Sequence, residues 1–96
     1  MAYFANIYYD GMSIEECSRR ICKTLTEMGL TYRESSDQIY ALVPMSGASW
    51  GEEMTIYFSK DYFSVESKCV GKLQVIDWGK NKRNVNNFIK IYNQMK

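Results

Sequence analysis

The chain has 96 residues, 46% hydrophobic and 24% charged, with a formal net charge of +1; the apolar share excludes disorder, and the length supports one core and a single domain over 1–96. No run approaches the roughly 20 apolar residues of a membrane-spanning helix, and the start lacks a basic stretch followed by an apolar one, so the expected location is cytoplasmic, with no membrane partner. Histidine is absent and the three cysteines form no C-x-x-C pair, which removes Ser-His-Asp and Cys-His centres and argues against zinc and a disulfide framework; neither cofactor nor enzymatic activity is expected.

In chain order, residues 3–9 are rich in aromatics and predict a strand, ended by Asp10-Gly11. Ser13 and Glu16 have capping-box spacing, with Met12 and Cys17 placed as a hydrophobic staple. Ile14, Cys17, Ile21, Leu25 and Met28 then form one apolar stripe, and Gly29 is positioned to close the helix in the left-handed conformation. Beyond Gly29 the period becomes two, predicting strands at 30–34 and 38–43, and then at 54–58 and 62–68. Ser35-Ser36-Asp37 and Ser59-Lys60-Asp61 supply the turns. Residues 44–53 read as a loop, and 69–77 as irregular with a short extended piece through Leu73, Val75 and Ile76. Val85, Phe88, Ile89, Tyr92 and Met95 share one face of a closing helix. Strand, helix, four strands, helix is an α+β order: a curved antiparallel sheet carrying both helices on one face.

The net charge conceals an asymmetry. Residues 1–66 carry five basic and ten acidic side chains, −5; residues 67–96 carry seven basic ones against Asp77, +6. The densest basic point is Lys80, Lys82 and Arg83, at the expected start of the last helix, where cations oppose the helix dipole. Asp77 is the expected cap, and Glu52 and Glu53 are available as compensating charges, although adjacent strand positions point to opposite faces. Cys17 belongs to the helix stripe, Cys22 lies about 140° round that helix, and Cys69 beside Lys68 is the thiol best placed to react.

Both tryptophans precede a glycine in an expected loop, within Ser49-Trp50-Gly51-Glu52 and within Asp77-Trp78-Gly79-Lys80-Asn81-Lys82-Arg83-Asn84, where each indole either plugs the end of the sheet or walls a binding surface. On these motifs, with Ser67 near the end of the intervening strand, residues 43–95 resemble a group of small bacterial domains of unassigned activity. That group is similar to the TATA-binding-protein-like class, in which a curved antiparallel sheet grips its helices. The resemblance implies the same α+β fold and carries no catalytic role.

Polar and aromatic specialisation without catalytic residues points first to a non-enzymatic binding or protein-interaction module. Its surface would comprise Trp50, Glu52, Asp77, Trp78, Lys80, Asn81, Arg83 and Asn84, facing a protein or a small anionic ligand. Asn81 and Asn84, three apart, would bond either the neighbouring loop or the ligand. The alternative is a small-molecule or anion site in a hollow between sheet and last helix, lined by Tyr57, Phe63, Phe88 and Tyr92. Nucleic acid is not the expected partner, because a pI near 7.6 lacks the usual basic footprint. The first strand has no lysine or proline to discourage edge pairing, which leaves a homodimer through it open.

Overall fold

Alternating exposure along β1 (Tyr3–Tyr8) follows directly from its period of two: Tyr3, Ala5 and Ile7 are half-buried, and Phe4, Asn6 and Tyr8 exposed. The computed structural model describes residues 2–44, 51–70 and 79–95. After β1 the chain turns through Asp10 and Gly11, both at positive φ, and enters α1 (Ile14–Glu27). The capping box forms as the spacing predicts, with Ser13 Oγ accepting from the Glu16 amide and the Glu16 carboxylate accepting from the Ser13 amide. At the other end Gly29, at φ 77°, donates to the Thr26 carbonyl and Leu30 to the Leu25 carbonyl, a Schellman closure. Cys17, Ile21 and Leu25 are fully buried, whereas Ile14 is 51% exposed. Ile14 is the first helical residue, so the predicted stripe reaches the core only from the second turn onward.

Helix α1 carries the chain from one sheet edge to the other. β2 (Thr31–Glu34), β3 (Gln38–Val43), β4 (Glu52–Phe58) and β5 (Tyr62–Cys69) then meander back, giving the all-antiparallel order β1-β5-β4-β3-β2. The turns close where expected, with Ser35 donating to the Gln38 carbonyl and Ser59 to the Tyr62 carbonyl. β4 begins two residues before the apolar alternation does: Glu52 pairs with Val43 and Cys69, so Glu52 and Glu53 belong to the strand and not to the preceding loop. They point to opposite faces as their adjacency requires, Glu52 buried and Glu53 opposite Lys68 on the uncovered face.

The last helix, α2 (Lys80–Gln94), starts from Gly79 at φ 74° with no side-chain cap bond. The capping position therefore belongs to Gly79 and not to Asp77, which lies outside the described residues, as does the extended piece expected at 73–76. Val85, Phe88 and Tyr92 of α2 join Cys17, Ile21 and Leu25 of α1 over Ile39, Ala41, Met54, Ile56, Phe63 and Val65, so both helices share one face and one core. The resulting α+β domain has an open sheet, as the order of elements predicted.

Arg20 locks the two helices together. Its Nε and Nη2 donate to the Tyr92 carbonyl at 2.9 and 2.6 Å, and the guanidinium carbon sits 4.2 Å from the centre of the Tyr92 ring. A cation at the negative end of α2 is stabilising in itself. Burial, followed by the neighbouring Cys17 thiol, pushes the Tyr92 phenol above its ordinary pKa, consistent with a ring set deep between the helices. Replacing Arg20 with Ala is expected to lower stability by about 1–2 kcal/mol. Lys should restore less than half of the loss, because it lacks the planar fork that grips one carbonyl twice; urea midpoints of the three proteins measure both effects.

Candidate functional site

A polar chain runs through the interior at the end of the sheet where β4 begins and β5 ends. Asn84 Nδ2 donates to Glu52 Oε1 at 3.0 Å and to Ser67 Oγ at 3.2 Å. Ser67 Oγ in turn donates to Asn81 Oδ1 at 2.8 Å, and Asn81 Nδ2 reaches the Cys69 sulfur at 3.6 Å. Glu52, Ser67 and Asn81 have no exposed surface, and Asn84 retains 6%.

Local structure explains the convergence. Glu52, Ser67 and Cys69 project from the helix-covered face of two paired strands, with Glu52 directly opposite Cys69. Asn81 and Asn84 lie three apart on α2, on the side continued by Val85, Phe88 and Tyr92 toward the core. Where the sheet is wide enough for apolar packing those positions are apolar; in the first turns of α2 they are amides. An unpaired buried amide costs about 1–3 kcal/mol. Among the described residues no buried side-chain nitrogen or oxygen is left without a partner. The carboxyl group of Glu52 thus meets α2 in its first turns, through Asn84.

The same end of the domain holds the borders of both Trp-Gly segments. The Val70 amide donates to the Gly51 carbonyl at 3.2 Å, joining the residue after Trp50 to the strand end that leads toward Trp78. Trp50, Asp77 and Trp78 themselves lie outside the described residues. Of the other expected surface residues, Lys80 is half-buried and Arg83 exposed, with Lys82 exposed beside it. Glu52, Asn81 and Asn84 are interior, so their polar groups face each other and β5 instead of solvent. Ser67 and Cys69 complete the chain; Ser67 was singled out only through the motif resemblance and Cys69 only as a thiol, and neither was expected to face Asn81.

The hollow expected between sheet and last helix is occupied by rings. Phe63 lies 5.3 Å from Tyr92 and 6.5 Å from Phe88 in edge-on contacts, and Phe88 stacks on Tyr92 at 5.8 Å. Tyr57 is on the other side of the sheet, its register partners being Gln38 and Ser64 on the uncovered face. An open groove of about 670 Å³ does exist elsewhere, between the first half of α1 and the two hairpin turns, floored by Ile14, Ile39 and Phe58. Among the described residues no group of three or more Cys, Asp or Glu converges as a metal site, and no helix is long and apolar enough to cross a membrane.

No protein-family model and no curated protein matches the chain. Among solved structures it is similar to the vertebrate conserved region of human METTL16, with a TM-score of 0.53 and 10% identity over 96% of this chain and 98% of that one. Identity at that level shows the α+β fold alone.

Proposed function

We propose that the chain is a non-enzymatic binding module that engages an acidic protein surface through its two Trp-Gly segments and the start of α2. The observation that carries this reading is the buried Glu52–Asn84–Ser67–Asn81 chain, which fixes the borders of both segments to one helix start while Lys82 and Arg83 remain exposed beside them. Exposed cations beside the anchored borders of these segments suit recognition of carboxylates. A small anion in place of a protein would use the same cations. The motif resemblance to small bacterial domains fits this reading, as does a cytoplasmic setting; both stand as part of the proposal. The ring packing around Phe63 weighs against a hollow as the ligand site.

The chain's two tryptophans are Trp50 and Trp78, so emission excited beyond tyrosine absorption reports on the two Trp-Gly segments. Titration with a poly-glutamate peptide at low salt is expected to change the emission. The Lys82→Ala/Arg83→Ala variant should bind at least tenfold more weakly while its urea midpoint is unchanged or slightly higher, since removing cations from a helix start relieves about 0.3–1 kcal/mol each. Inorganic phosphate as a second titrant separates a small-anion site from a protein-binding one. Equal binding curves for parent and variant would remove the cations from the site.

A further inference from the structure

We infer that two copies of this chain pair antiparallel through β1, with Asn6 on the two-fold axis. Among the described residues β1 is one of the two outer strands, no strand lies beyond it, and its outer edge is bordered by Phe4 and Tyr8, which are 63% and 65% exposed. The opposite edge, β2, is only four residues long and carries Arg33 and Glu34, devices that discourage pairing. β1 has six residues and no charge, proline or glycine.

Backbone direction decides which groups are on offer. The Tyr9 amide donates inward to the Asp61 carbonyl at 3.3 Å. Antiparallel ladders alternate, so the amides and carbonyls of Tyr3, Ala5 and Ile7 turn toward β5 and those of Phe4, Asn6 and Tyr8 turn outward. The three outward residues present three donors and three acceptors.

Register follows from the side chains. Residues directly opposite each other in a ladder share a face, so an odd residue can face only an odd one of the other copy, and an even residue only an even one. Three arrangements keep most of the strand paired, centred on Ala5, Asn6 or Ile7. Centring on Ala5 sets Phe4 against Asn6. Centring on Ile7 sets Phe4 against Asp10, where the chain has already turned at φ 53°. Centring on Asn6 sets Phe4 against Tyr8 twice and Ala5 against Ile7 twice. It matches aromatic to aromatic on the uncovered face and fills the small side chain with the larger one beneath the helices. Each of the three outward residues then exchanges both of its backbone bonds, six across the axis, and the two five-stranded sheets become one of ten strands. The contact is isologous and closed, so it ends at a dimer and not a fibre.

Light scattering across a concentration series is expected to move the mass from the 11.2 kDa of one chain toward twice that value, and Phe4→Lys should return it to one chain, with the urea midpoint that the parent shows at concentrations where it too is a single chain. Under copper-phenanthroline oxidation Asn6→Cys should cross-link to itself, because facing residues of a hydrogen-bonded pair have Cα atoms about 5.5 Å apart, inside the range a disulfide spans. Phe4→Cys should not, since its two copies would stand about 14 Å apart along the strands. The unsubstituted chain, with Cys17, Cys22 and Cys69, is the control. A single-chain mass at millimolar concentration, or cross-linking of Phe4→Cys as efficient as that of Asn6→Cys, overturns the pairing.

Discussion

Phe63→Ala is expected to cost about 3–5 kcal/mol, the largest loss available from one side chain in this domain. Phe63 is fully buried, and its ring meets Tyr9 at 6.2 Å, Phe58 at 6.3 Å, Phe88 at 6.5 Å and Tyr92 at 5.3 Å. It is therefore the ring on which the residue after β1, the end of β4 and α2 all rest. Removing it leaves a void that helix and sheet cannot close without moving Tyr92, which Arg20 holds. A domain of this size has a total stability of about 5–15 kcal/mol, so the variant loses a large fraction of it. Tyr57→Ala, equally aromatic but on the uncovered face and 42% exposed, should stay within about 1 kcal/mol of the parent. Urea denaturation of the two variants tests the packing and the function together. A small cost at Phe63 would mean that the space is a natural hollow, and the small-molecule reading would regain its ground.

How far such a core can be read from sequence depends on whether a position reports its own surroundings. The capping box at Ser13, the stripe of α1, the closure at Gly29 and the alternation of β3 to β5 are local patterns, set by a residue and its neighbours within four positions, and the structure repeats them. Ile14 departs because a stripe gives direction but not depth, and the first turn of α1 overhangs the sheet. The start of β4 departs for a different reason. Two glutamates after a Trp-Gly pair look like loop, and only a long-range partner, Asn84 on α2, makes Glu52 tolerable inside. Asn81 and Asn84 carried the clue, amides spaced to face one way on a helix whose later residues at that spacing are apolar. Nothing local says that the facing surface would be Ser67 and Cys69 and not a ligand. Opposed charge in the two halves was legible as a sum, yet the sum does not foretell that an acidic side chain, Glu52, crosses from β4 to bond Asn84 near the helix start.

Removal of that side chain should be nearly as damaging as loss of the central ring. Glu52→Ala deletes a buried hydrogen bond to a carboxyl group, worth about 1.5–3 kcal/mol, and withdraws one of the two acceptors that hold Asn84 Nδ2. Asn84→Leu alone is expected to cost less, because Glu52 and Asn81 keep their other contacts and Ser67 still donates to Asn81. The two sites share one bond, so Glu52→Leu/Asn84→Leu should be clearly less unstable than the sum of its single variants, with a coupling of about 0.5–3 kcal/mol. Additive costs would show that the bond does not join β4 to α2. A second measurement separates support of the loops from support of the fold. Trp50 lies two residues before Glu52, so in Glu52→Ala tryptophan emission should shift at a lower urea concentration than the helical circular dichroism signal. In the parent the two signals should change together. If they remain coincident in the variant, Glu52 stabilises the domain without holding its Trp-Gly segments in place, and the binding surface proposed there loses its foundation.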